Sequence, residues 1–199
     1  MTKLYSYVVA RDFGFAPNPF FNFCTLATCK PEIRRRAQVN DWVVGTGSKA
    51  RKRGDRLVFA MRVSEAMTFN QYWADARFKS KRPYLLGSKK VAFGDNIYFK
   101  EDGTWHQENS HHSLATGKPN KANIQHDTNA DRVLISADFV YWGGQGPVIP
   151  GTLAPKLCKR GPGHRCDLSD ELIAQIEKWV RGLSGWGYAG APLDWSRTP

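Results

Sequence analysis

The residues best suited to chemistry are a histidine pair, two cysteines and one aspartate. Asn109-Ser-His-His-Ser113 crowds polar side chains together, and its adjacent imidazoles can exchange a proton or hydrogen-bond a base edge. Adjacent side chains on a strand face opposite ways, so at most one of the two histidines would point into a given site. In an enzyme His111 or His112 would be the acid or base, Asp95 the charge partner, and Cys24 or Cys29 the nucleophile. Two plainer accounts compete for the same stretch: a polar loop, or one histidine simply satisfied by backbone.

A binding site would draw on different residues. It needs an aromatic wall for stacking, with Phe15, Trp73 and Tyr98 as candidates, and a few fixed polar groups for identity. Candidates for the polar contacts are Asn18, Ser48, Asn96, Ser110, His111 and His112. Phosphates would be met by a basic patch. Arg34, Arg35 and Arg36 are expected on a short helix, and Lys49, Arg51, Lys52 and Arg53 on a loop between strands, with both groups facing one phosphate track. The whole chain shares the bias, with 29 Lys and Arg against 18 Asp and Glu, a net charge of +11 that favours polyanions. Gly45-Thr-Gly-Ser-Lys-Ala50 fits the dinucleotide-binding pattern formally, but RKRGD and another strand follow where a helix should open.

Other classes lose ground. Cys158, His164 and Cys166 do not have the spacing of a zinc knuckle or finger, so the thiols are expected buried, with no structural metal and no cofactor. There is no G-x-S-x-G elbow, Walker A loop, H-E-x-x-H helix, deaminase signature or carboxylate–lysine nuclease core. No window approaches the ~18 apolar residues of a membrane span. The amino terminus has no signal-peptide pattern, so a cytoplasmic protein with reduced thiols is expected.

The elements that would position these groups follow from periodicity. Strands are expected over 5–9, 42–46, 56–64, 96–100 and 132–142. In 56–64 the side chains of Leu57, Phe59, Met61 and Val63 take one face, and those of Arg56, Val58, Ala60 and Arg62 the other. Pro31 can open a helix to about residue 38, Thr68 can cap one to about 76, and Ser169 one that Gly182 stops. The fold expected is α+β, a small, partly open β-barrel with flanking helices. Residues 1–182 would form one domain, and the Gly/Trp/Pro-rich tail 183–199 would wrap it or fray.

Several long, irregular stretches carry a family resemblance. RDFGFAPNPF, CTLATCKPEIRRRA, VNDWVVGTGS, TFNQYWADARF, FGDNIY and NSHHS resemble the nucleotide modification associated domain 2 family, from the first strand to about Trp142. The segment from RRRAQVNDWVVGTGS to RVSEAM is also similar to the start of PUA-like barrels such as EVE, YTH and ASCH domains. Asn40-Asp41 stands where those domains have Gly-Asp. The resemblance implies a bacterial or phage nucleotide-modification or defence setting and a barrel face that reads modified bases. The leading expectation is therefore a module recognising a modified base in nucleic acid (DNA before RNA) or in a nucleotide. The alternatives are an enzyme on a nucleobase or nucleotide with a His/Asp/Cys site, and a subunit contacting an acidic partner protein of a modification system.

Overall fold

A computed structural model describes residues 2–159 and 161–197. In chain order the strands are β1 (Leu4–Val9), β2 (Cys24–Leu26), β3 (Trp42–Gly47), β4 (Leu57–Arg62), β5 (Glu65–Met67), β6 (Tyr98–Glu101), β7 (Thr104–Gln107), β8 (Val133–Ser136), β9 (Asp138–Tyr141), β10 (His164–Arg165) and β11 (Gly187–Tyr188). The α-helices are α1 (Pro31–Arg36), α2 (Phe69–Ala74), α3 (Lys89–Ala92), α4 (Lys121–Thr128), α5 (Ala154–Leu157) and α6 (Asp170–Arg181). The protein is thus α+β with mixed sheets, and among the described residues no sheet closes into a barrel. No helix among them is long and apolar enough to cross a membrane.

The chain divides into two compact units. Unit 1 comprises residues 1–13, 37–64 and 136–199; unit 2 comprises 14–36 and 65–135. Unit 1 is built on a six-stranded sheet in the order β10-β1-β3-β4-β9-β11. β1 runs parallel to β3, whereas β4 runs antiparallel to both β3 and β9. Strand β4 keeps the alternation expected of it, but residues 57–61 are buried throughout, as a central strand covered on both faces must be. Helix α6 begins where Ser169 accepts a hydrogen bond from the Leu172 N–H and ends at Gly182. Its stripe of Ile173, Ile176 and Val180 joins Leu4, Trp42, Leu57 and Val140 in one core. The tail pairs with this sheet: β11 lies parallel to β9, and Trp195 donates its indole N–H to the Phe13 carbonyl at 2.8 Å.

Unit 2 holds the small sheets β2-β8-β5 and β6-β7. Thr68 and Gln71 form a reciprocal capping box at the start of α2. One expectation fails at residues 132–142, which are two strands in different sheets. The Ser136 hydroxyl lies 2.6 Å from the Arg62 carbonyl and accepts the Asp138 N–H, and this turns the chain between β8 and β9. Helix α4 has no apolar periodicity to announce it. Its start is set by Asn120, whose side chain accepts from the N–H groups of Ala122 and Asn123.

Candidate active site

The constellation that matters lies within unit 2 and joins Cys29, His112 and Asp127. Cys29 Sγ is 3.7 Å from Nε2 of His112, and Nδ1 of the same ring is 2.8 Å from Oδ2 of Asp127. Thiol, imidazole and carboxylate therefore stand in series across one ring, the order in which a nucleophile, its base and an orienting acid are arranged. Cys29 and His112 are half-buried, while Asp127 is fully buried.

Each member is fixed locally. Cys29 and Lys30 take φ values of 58° and 43°, a left-handed pair that non-glycine residues adopt at a cost. The pair turns the chain from the end of β2 into α1. It lets the Cys29 N–H donate to Oδ1 of Asp127 at 2.8 Å. His112 sits on a turn rather than a strand. Its N–H is 3.3 Å from the Ser110 hydroxyl, and its carbonyl accepts from Asn123 at 2.8 Å and Gln107 at 3.3 Å. Asp127 is presented by the last turn of α4 and also accepts from the Tyr98 hydroxyl at 2.9 Å and from His126 at 3.0 Å.

Charge follows from these contacts. Burial disfavours a charged His112, but the hydrogen bonds to Asp127 and Cys29 and their charges outweigh it and hold the ring at about 9. Burial likewise opposes the Asp127 carboxylate, and His112, His126 and the Cys29 N–H more than compensate, holding it below the usual range. Burial and then the Asp127 charge push the Tyr98 phenol far up, so it stays a neutral donor.

The ligating atoms of Cys29, His112 and Asp127 lie within 4.8 Å of one another, close enough to raise a metal site. The ring argues against one. Sulfur faces Nε2 and carboxylate faces Nδ1, so an ion bonded to either nitrogen would forfeit the residue at the other. Asp127 also spends its oxygens on four donors. The other metal candidates are dispersed: the His164 ring rests on Tyr5 at 5.8 Å, Cys158 is half-buried and Cys166 is exposed, not buried as expected.

Other expected site residues fall into separate places. Phe15 is buried beside the histidines, its ring centroid 4.6 Å from that of His112 and 5.3 Å from that of His111, which is itself exposed and meets Phe93 at 5.2 Å. Asp95 does not serve either histidine. It is fully buried and accepts from Thr25 at 2.7 Å and Tyr72 at 2.8 Å. Asn18 belongs to the same buried region, where its Oδ1 and carbonyl receive Lys81 at 2.6 Å and 3.0 Å. Asn96 is buried too, donating to the carbonyls of Tyr72 and Phe78. Cys24 is wholly enclosed and burial pushes its thiol up, which removes it as a nucleophile. Trp73 is stacked on Phe99 at 4.5 Å and carries the Arg82 guanidinium at 3.7 Å. Tyr98 is fully buried, so neither ring offers the open face a stacked base requires.

The basic patch is corrected at Arg34. Instead of facing solvent it is fully buried, donating to the carbonyls of Cys29 at 2.8 Å, Ala130 at 2.7 Å, Arg132 at 2.6 Å and also Asp127. It thereby ties together the backbones that carry Cys29 and Asp127. Arg35 and Arg36 are exposed and paired with Glu32. Lys49, Arg51, Lys52, Arg53 and Ser48 lie in unit 1. Asp127 is the member of the cluster that the sequence did not disclose. The signal available was the His126-Asp127 pair behind the Asn120 cap, on a helix with no apolar stripe.

Fold and site define the class: an α+β protein of two units, one of which holds a thiol–imidazole–carboxylate cluster. The chain belongs to the nucleotide modification associated domain 2 family, whose profile matches residues 1–199. No curated protein and no solved structure matches it.

Proposed function

We propose that this protein is a thiol-dependent enzyme of a nucleotide-modification system, with Cys29 as nucleophile, His112 as general acid and base, and Asp127 as the group that orients and charges the ring. The observation that carries the reading is the serial geometry, sulfur at Nε2 and carboxylate at Nδ1. The substrate class is a nucleotide, free or in a nucleic acid, bearing an electrophilic carbon with a leaving group, as in an acyl substituent on a base. Cys29 reacts as the thiolate, its proton resting on Nε2. The S–C bond forms, the bond to the leaving group breaks, and that group departs with its electron pair and the proton from His112. Water or an acceptor amine then attacks the thioester, returning its own proton to His112 and the sulfur to its starting state.

Recognition of a modified base without reaction, in the manner of PUA-like domains, is the second reading. It is favoured by the packing of Phe15 and His111 around the same histidine. The two separate in one experiment. Nucleotides and oligonucleotides with unmodified, hydroxymethylated or N-acylated bases are incubated with wild type, Cys29→Ala and His112→Ala, and both substrate and protein are weighed by mass spectrometry. The enzyme reading expects a substrate mass change with wild type that vanishes in both variants, and iodoacetamide labelling of Cys29 at least about tenfold slower in His112→Ala. Turnover that persists in Cys29→Ala removes the nucleophile. Intact substrates, with binding weakened in His112→Ala, select the reader.

A further inference from the structure

Unit 1 carries a crevice that the thiol site does not use. Strands β1, β3 and β9 run in the same direction, being linked by a parallel β1–β3 pair and antiparallel steps through β4. The crevice lies beyond their carboxyl ends, lined there by Ala10, Ser48 and Gly144, the position at which open sheets hold ligands.

Its cations are arranged unequally. Arg51, Arg53 and Arg56 all line the crevice. Arg51 is set by Asp194, with Nη2 3.2 Å from Oδ1 of a side chain that is 3% exposed. Arg56 donates to the Gly146 carbonyl at 2.9 Å. Arg53 is half-buried, and its guanidinium makes no hydrogen bond or ion pair among the described residues. The Ser48 hydroxyl caps nothing, although it stands at the start of the 3-10 turn Lys49–Arg51. The crevice's acids are already engaged: Asp12 accepts from the Tyr141 hydroxyl and from the Leu193 N–H at 3.0 Å, and Asp194 accepts the Asp12 N–H at 2.7 Å. A partly desolvated guanidinium without a partner is costly unless an anion completes it.

We propose that this crevice binds a phosphate group, from a free nucleotide or a nucleic-acid backbone. The planar fork of Arg53 takes two phosphate oxygens, the Ser48 hydroxyl donates to a third, and Arg51 and Arg56 supply positive potential from positions the fold has already fixed. The site is independent of Cys29, so it stands or falls separately from the enzymatic reading.

The test titrates the full chain with thymidine, thymidine 5′-monophosphate and a 20-nucleotide single strand, read by calorimetry. The phosphorylated ligands should bind and thymidine should not. Arg53→Gln should weaken the phosphorylated ligands about tenfold at unchanged melting temperature, since no partner among the described residues is lost. Ser48→Ala, judged the same way, covers a folding defect in the first variant. Exposed Arg36→Gln should bind like wild type. A free-nucleotide site shows equal affinity for monophosphate and oligonucleotide. A backbone site favours the oligonucleotide, with a steeper loss on adding salt. Equal binding of thymidine and its monophosphate, or wild-type affinity in both Arg53→Gln and Ser48→Ala, overturns the proposal.

Discussion

His112 is held between two groups that both favour its charged form, so its protonation is linked to folding. The folded ring titrates at about 9, above the ordinary 6.5. The stabilisation it supplies is therefore complete below about pH 6.5, declines as pH rises from there, and is spent once pH passes about 9. Its ceiling is about 3 kcal/mol, from the interval between 6.5 and about 9 at 1.36 kcal/mol per pH unit. We expect His112→Gln to destabilise the protein most near pH 6 and progressively less towards pH 10, as measured by urea midpoints of both proteins across that range. A stability difference independent of pH would show that the His112–Asp127 contact is not charged. The cluster also shows how little residue type alone decides. Asp95 and Asp127 are both fully buried, yet burial dominates at Asp95 and raises its carboxyl, whereas donors dominate at Asp127 and lower it.

Helix α1 is only six residues long, too short to hold itself in water, and its place depends on what Arg34 reaches. Four carbonyls on two chain segments accept from that one guanidinium. Lysine at this position has a single head without the planar fork, and leaves buried acceptors unmet. Arg34→Lys should cost on the order of 3 kcal/mol in chemical denaturation. It should also slow iodoacetamide labelling of Cys29, because the Cys29 and Asp127 backbones lose their common tie. Stability and labelling both unchanged would contradict this role. The elements legible in the sequence were the helices whose ends are capped by rule, α2 and α6, and the apolar runs of β1 and β3, although both strands prove buried on both faces. Strand β4 betrayed its existence but not its two-sided burial. The break at Ala137 turns on one serine hydroxyl, and α4 has only Ala122 and Ile124 as apolar residues with no stripe between them, so neither leaves a periodic trace. Of the site, Cys29 and His112 were legible as reactive types in polar company. Their partner was not, because Asp127 reaches them only through a helix that hydropathy does not reveal.

On the scale of the whole chain, unit 2 is assembled from two excursions, 14–36 and 65–135, separated by the part of unit 1 that holds β3 and β4. The second excursion lacks β2, which pairs with β8, and lacks Arg34, whose guanidinium caps the carbonyls of Asp127, Ala130 and Arg132. Residues 65–135 expressed alone should therefore not fold cooperatively, and circular dichroism on heating should show no sigmoidal transition. A sharp melt would mean that the second excursion is self-sufficient. The same topology constrains descent. Cys29 comes from the first excursion, and His112 and Asp127 from the second. Any recombination breakpoint between residues 29 and 112 gives Cys29 to one offspring and His112 to the other. The shortest contiguous piece that inherits all three also takes β3 and β4 out of the middle of another unit's sheet. The Cys29–His112–Asp127 cluster cannot be shuffled between proteins as a cassette, and lineages that keep it must inherit both units together.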